Sequence, residues 1–144
     1  MIKVANKSGS KILAQMALNI WDNNSIDELT KEFDSMIYDS NSICFINYED
    51  NLPVGFANAS LRYDYVEGCE TSPAGYLEGI YVIDDYRNKN IARKLVEACQ
   101  VWAKDRGCLE FASDCELTNL DSLDFHLAIG FNEVNRIICF KKNI

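Results

Sequence analysis

Three extended runs with no helix between them, followed at once by a helical run, set the strictest limit on how this chain folds. Ser42-Ile43-Cys44-Phe45-Ile46-Asn47-Tyr48 is dense in strand formers. After the turn residues Glu49-Asp50-Asn51-Leu52-Pro53, the stretch Val54 to Tyr63 resumes the same character, and the pair predicts a β-hairpin. A loop holding Gly68 and Pro73 leads to the third run, Tyr76-Leu77-Glu78-Gly79-Ile80-Tyr81-Val82. Gly79 inside that run marks a bulge or a close backbone approach.

Helical spacing surrounds these runs. Ile12, Leu13, Met16, Ala17, Ile20 and Trp21 recur on one face behind Ser8-Gly9-Ser10. Ser25 and Glu28 have the spacing of a capping box, and Ile26, Leu29, Phe33 and Ile37 supply the apolar stripe behind it. Past the third run, Ile91, Leu95, Ala98 and Trp102 form another stripe, which Gly107 stops with a left-handed turn. Leu109 to Cys115 predicts a strand, a short helix through Leu123 and Leu127 ends at Gly130, and Asn135 to Lys141 predicts a last strand. The order is ααβββαβαβ, preceded by a short strand at Ile2 to Val4. That order predicts an α/β or α+β layer architecture, a mixed and mostly antiparallel central sheet flanked by helices. Neither linker nor repeat interrupts it, so one domain over residues 1–144 is expected.

Charge and cysteine usage exclude several classes of function. The net charge of −8 opposes nucleic acid, whose phosphates require a basic surface. No apolar run approaches the roughly 20 residues of a membrane span. The first ten residues carry neither an apolar run nor a small-residue cleavage site, so a cytoplasmic chain is expected. Six cysteines form no C-x-x-C pair and a single histidine accompanies them, which leaves metal-site spacing absent. Most of the thiols are expected as small buried hydrophobes. Residues 20–50 hold eight carboxylates against one lysine, either a solvated face or an attraction for a cationic partner.

Against that acidity, one basic stretch stands out. Arg87-Asn88-Lys89-Asn90-Ile91-Ala92 follows the glycine-bearing strand and opens a helix that also carries Arg93 and Lys94. Free amides and the positive end of the dipole make a helix N-terminus a site for phosphate groups. Basic residues in a first turn oppose that dipole, so the stretch is either ordinary surface or a site for an anion.

Arg87 to Ala92 resembles the (Q/R)-x-x-G-x-(G/A) loop of the GCN5-related N-acetyltransferase superfamily, which holds the coenzyme A pyrophosphate on backbone amides. Asn90 replaces the usual glycine, and asparagine is the next most tolerant residue of positive φ. Asn119, followed by Ser122, His126 and Gly130-Phe131, is similar to the superfamily's second cofactor segment. The resemblance implies the superfamily's fold, acetyl-CoA as cosubstrate with no metal, and a cofactor site along Ile80, Tyr81, Val82, Arg87 to Ala92, Asn119 and Ser122. A narrower similarity, to short dimeric aminoglycoside 6'-N-acetyltransferases, rests on Ala57 to Cys69, Ser72-Pro73, Tyr76 to Val82 and Glu110 to Asp114. It implies a homodimer and a sugar-binding cleft along Trp21, Tyr65, Glu78 and Asp114.

Those residue types suit acetyl transfer to a polycation. Carboxylates and aromatic faces recognise ammonium groups on sugar rings. An attacking alkyl amine must first lose a proton, which a carboxylate can remove. Glu78 is the first candidate for that base and Asp114 the second. Amides near Gly79 and Ile80 are candidate donors to a developing oxyanion. His126 is either an acid for the departing thiolate or a packing residue beside the cofactor, and Trp21 is either core or ligand contact. The competing readings are an acetyltransferase for another amine (polyamine, amino sugar or protein amine) and a non-catalytic acetyl-CoA-binding module.

Overall fold

The hairpin forms where strand propensity and the turn residues place it. In the computed structural model, which describes residues 1–144, strand β2 (Ser42–Glu49) turns into β3 (Leu52–Arg62) through Asp50 and Asn51, both at positive φ. Aspartate and asparagine tolerate that conformation, and a two-residue turn of this kind matches the twist of the flanking strands. β1 (Ile2–Val4) pairs with β2, and β4 (Ala74–Val82) pairs with β3, all antiparallel. β5 (Phe111–Ala112) adds to β4 in parallel, so the sheet order is β1-β2-β3-β4-β5.

Each face of this sheet is covered by helices whose apolar stripes were legible in advance. Helices α1 (Ser10–Ala17) and α2 (Ile26–Tyr38) pack on one face, where Leu13, Leu29 and Phe33 meet Ile46 and Phe56. Phe33 and Phe56 cross edge to face at 5.8 Å, a geometry that adds about 0.5–1.5 kcal/mol to their burial. Ser25 caps α2 through the Glu28 amide, and the Glu28 carboxylate accepts from the Ser25 amide, completing the capping box. Helix α3 (Ile91–Asp105) covers the other face, with Leu95, Val96 and Cys99 against Val54, Ala57 and Leu77. Gly107, at φ +88°, ends it as expected. Helix α4 (Leu120–Ala128) follows β5 and stops before Gly130, also at positive φ.

Three expectations are corrected. The first helix ends at Ala17, so Ile20 and Trp21 lie in the connection to α2. The strand predicted over Leu109 to Cys115 pairs only at Phe111 and Ala112, because β4 and β5 diverge beyond Tyr76 and no ladder continues. The last strand, predicted over Asn135 to Lys141, does not form. A strand needs a neighbour for its backbone groups. Here the chain passes along the loop before β4, where Asn135 Nδ2 donates to Glu67 Oε1 (2.7 Å) and Val134 lies over Gly68, and it pairs with no strand. Ile137, Ile138 and Phe140 consequently stand in solvent.

Candidate active site

The glycine in β4 is where the two halves of the site meet. Asn58 of β3 pairs with Gly79 and Ala59 pairs with Leu77, so Glu78 is an extra residue at a β-bulge. Tyr76, Gly79 and Tyr81 then share the α1–α2 face with Phe56, Asn58 and Ser60, while Leu77, Ile80 and Val82 face α3. A side chain at 79 is excluded by close approach: a Cβ there would lie 2.7 Å from both Asn58 Oδ1 and Trp21 Cη2. Between α2 and this bulge opens a cleft of about 430 Å³, lined among others by Trp21, Glu32, Met36, Asn58, Ser60 and Glu78. Its size suits a small ligand.

Five polar side chains form a connected cluster at the mouth of this face. Glu78 Oε1 accepts from Ser60 Oγ (2.5 Å) and Arg62 Nε (3.0 Å), and Oε2 accepts from Arg62 Nη2 (2.8 Å). The guanidinium also lies 3.4 Å above the Tyr76 ring, a cation–π contact. The Tyr76 hydroxyl donates to Asp114 Oδ2. Burial first, and then this bond to a carboxylate, push the Tyr76 phenol well above its ordinary range. The Glu78 pair holds the Arg62 guanidinium still more firmly protonated, against the opposing effect of desolvation. A carboxylate offers about four lone-pair sites. Glu78 therefore keeps one free on Oε2, and the exposed Asp114 keeps Oδ1 free.

On the far side of β4 the backbone itself is exposed. β5 pairs with β4 only at Gly75 and Tyr76, so no strand flanks residues 77–82 on that side. Alternate residues there turn their amides and carbonyls toward an open wedge. The wedge leads to the turn before α3, in which Asn88 (φ +60°) and Asn90 (φ +61°) are left-handed. No amide from Asn88 to Arg93 donates to a backbone carbonyl or to a side chain, leaving a cluster of donors at the positive end of a 15-residue helix. Arg87 is tied back to this turn by Nε to Val82 O (3.0 Å) and by an ion pair with Asp84 (2.9 Å). Lys89 lies over Tyr86, and Arg93 reaches the Ala128 carbonyl at the end of α4. These bare amides fit a pyrophosphate, and Asn90 adopts the conformation that the usual glycine would.

The remaining sequence candidates divide. Asn119 caps α4 by accepting from the Ser122 amide (3.1 Å). His126 Nδ1 is 2.6 Å from the Ser122 carbonyl, which can only accept, so this nitrogen carries the proton. Its Nε2 then accepts from Ser113 Oγ at 2.7 Å, and the ring packs against Phe131. Both nitrogens of His126 are thus engaged within the chain. Trp21 and Glu78 line the cleft, Asp114 joins it through Tyr76 and Arg62, and Tyr65 stands exposed in the loop before β4.

Ser60, Arg62, Tyr76 and Asn58 were not among the sequence candidates. Their signal was present: Asn58, Ser60 and Arg62 are the alternate residues of an otherwise apolar strand, and a polar period of two marks one working face.

A mixed sheet splayed beside a bare-amide turn, with an acidic cleft behind the splayed strand, is the framework of an acyl-transfer enzyme. Residues 12–131 match the acetyltransferase (GNAT) family, and the chain belongs to that family. It is 34% identical over 143 residues to aminoglycoside N(6')-acetyltransferase type 1 of Acinetobacter haemolyticus, covering 99% of this chain and 98% of that one. Over 115 residues, 79% of each chain, it is 44% identical to the protein of the same name from Acinetobacter genomosp. 13. Two solved structures superimpose with a TM-score of 0.95 over 100% of this chain and 98% of theirs. They are the 6'-N-acetyltransferase AAC(6')-Ih of Acinetobacter baumannii at 36% identity, and AAC(6')-Iy in complex with the bisubstrate analog CoA-S-monomethyl-acetylneamine at 33%.

Proposed function

We propose that this protein transfers the acetyl group of acetyl-CoA to the 6'-amino group of aminoglycosides, by direct attack within a ternary complex. The observation that carries the reading is the bulge at Glu78 and Gly79, which has carboxylates and a cleft on one face of β4 and an unflanked backbone edge on the other. The relatives' names and the bisubstrate complex support the same pairing of substrates.

Bound acetyl-CoA supplies the activated acetyl thioester. Amides from Asn88 to Ala92 hold its diphosphate, and Ile80 to Val82 align its pantetheine arm along the open edge of β4. Glu78, with one lone pair free on Oε2, takes the proton from the substrate ammonium. Arg62 and Ser60 fix that carboxylate so that its free lone pair points one way. Asp114 and Glu32 attract further ammonium groups, and Trp21 packs on a sugar ring. Tyr65 closes the rim. Amides near Gly79 and Ile80 donate to the oxygen that gains charge during transfer. His126, with both nitrogens engaged, positions Ser113 beside the cofactor arm and is not the acid.

The active form is a cytoplasmic homodimer. Its support is the segment after Phe131, whose Ile137, Ile138 and Phe140 are exposed and unpaired and would be buried against a second copy. Light scattering then gives twice the chain mass, and truncation after Phe131 gives a monomer.

The activity test is acetyl-CoA consumption, followed by free-thiol release, with kanamycin or tobramycin. Glu78→Gln lowers kcat by about 100-fold, the scale of a general base. Absence of turnover by the wild type with any 6'-amino aminoglycoside rejects the reading. Turnover with a polyamine or a protein amine instead would transfer it to that class.

A further inference from the structure

We infer that Asn58 is a positioning residue for the reacting amine, its carboxamide oxygen accepting one of the N–H groups that remain after deprotonation. The inference rests on the activity proposed above and assigns a role to a residue outside the acidic cluster.

Only two buried polar side-chain atoms in the molecule lack a hydrogen-bond partner, Asn58 Oδ1 and Trp102 Nε1. Trp102 packs on an apolar patch of Leu61, Ala103 and Cys108 and does not line the cleft. Asn58 is different. It is 2% exposed, it lines the cleft, and it is the residue paired with Gly79 at the bulge. Its Nδ2 has only the Met36 sulfur, a weak acceptor, at 3.6 Å. Nothing in the fold uses the oxygen.

An orphaned buried carbonyl is costly, and an apolar side chain of the same size would avoid that cost. A position 2% exposed, on the sheet face that carries Phe56, makes leucine the expected residue there on packing grounds. The position of the oxygen suggests what answers the cost. Asn58 Oδ1 and the edge of Trp21 both lie 2.7 Å from the point where a Gly79 Cβ would be, so oxygen and indole edge converge at the bulge. A sugar ring packing on Trp21 brings its amine to that point, beside the bulge that presents Glu78.

The stereochemistry of attack completes the argument. A neutral primary amine has one lone pair and two N–H groups. With the lone pair facing the open edge of β4, those N–H groups turn to the cleft side and need an acceptor there. The one free site of Glu78, on Oε2, is filled by the proton it has taken, so Asn58 Oδ1, flanking Gly79, is the acceptor that remains.

The test is Asn58→Leu, which keeps the volume and removes the acceptor. Steady-state kinetics with a 6'-amino aminoglycoside should show kcat/KM for the amine reduced about tenfold, the scale of one hydrogen bond. Coenzyme A affinity by calorimetry should stay within about threefold of wild type, and Tm should be unchanged or higher because an orphan has been removed. Asn58→Ala serves if the leucine variant does not fold. Amine kcat/KM within threefold of wild type overturns the inference. So does a lowered Tm with a parallel loss of coenzyme affinity, which would make Asn58 structural. The wild-type control separates the two readings: no turnover by wild type rejects the acceptor class and this role together, whereas wild-type turnover with an unaffected variant rejects the role alone.

Discussion

Gly79→Ala is the smallest change that should separate the two halves of the site. The added methyl would stand 2.7 Å from Asn58 Oδ1, 2.7 Å from Trp21 Cη2 and 3.1 Å from Trp21 Cζ2. Ordinary contact between carbon atoms is about 3.5–4.0 Å, so these neighbours must retreat by roughly 1 Å. Asn58 is held inside the β3–β4 ladder with Met36 at its back, whereas Trp21 is half-buried in a connection. The indole therefore moves, into the cleft it lines.

Overpacking of this kind costs about 1–3 kcal/mol, and replacing glycine at an ordinary φ returns about 0.4–1 kcal/mol by restricting the unfolded chain. The net loss, at most about 2.6 kcal/mol, should lower Tm by up to about 9 °C for a domain of this length. The effect on chemistry is larger, because a misplacement of about 1 Å can cost about 100-fold in rate. Amine kcat/KM should fall by about that factor, while calorimetry finds coenzyme A affinity within about threefold of wild type, since the Asn88 to Ala92 amides are not involved. A variant with wild-type Tm and wild-type amine kcat/KM would refute the geometry assigned to the bulge.

Asn90→Val places a β-branched residue at φ +61° and should weaken coenzyme A binding about tenfold, whereas Asn90→Gly should bind at least as tightly as wild type; calorimetry checks both. Ser25→Ala removes the hydroxyl that caps α2 and should cost about 1 kcal/mol in denaturant melts. Burial pushes the Cys44 and Cys99 thiols up to about 12. Native alkylation near pH 8 should therefore label Cys115 and Cys139, which are exposed, and spare those two until the protein unfolds. The same shift fixes a pH dependence. Unfolded thiols ionise near 8.5 and the folded ones near 12, so their contribution is intact below about pH 8.5 and is lost as pH rises toward 12. The loss approaches about 1.4 kcal/mol per pH unit for each thiol, and urea melts across that range measure it.

Local chemistry explains what was legible in the sequence. The capping box at Ser25, the turn at Asp50 and Asn51, the stops at Gly107 and Gly130 and the bulge at Gly79 are each determined by residues within a few positions. The bare-amide turn proposed for the cofactor belongs to this class, because a positive-φ Asn90 before a helix suffices to bare its amides. What escaped prediction depends on partners far along the chain. Phe111 and Ala112 pair while Ser113 and Asp114 do not, because β4 and β5 diverge there, and nothing within Leu109 to Cys115 encodes that divergence. Ile137 to Phe140 has strand-forming residues and still makes no strand, since no edge of its own sheet takes it up. Arg62 and Glu78 are 16 residues apart and meet only through the β3–β4 register.

That register is also what makes a single insertion generate the candidate active site. Side chains alternate along a strand, so one extra residue shifts every later side chain to the opposite face. Up to Tyr76 the even-numbered residues of β4 face α1 and α2; beyond Glu78 the odd-numbered ones do. Without the bulge, Ile80 and Val82 would lose their place against α3 and Tyr81 would leave the core beneath α1. Hydrophobic burial on both faces therefore demands the extra residue once this sequence is paired with β3. The residue it inserts is the carboxylate Glu78, projected over the cleft beside a glycine too crowded to carry a side chain. Packing forces thus hold the candidate base against the open backbone edge.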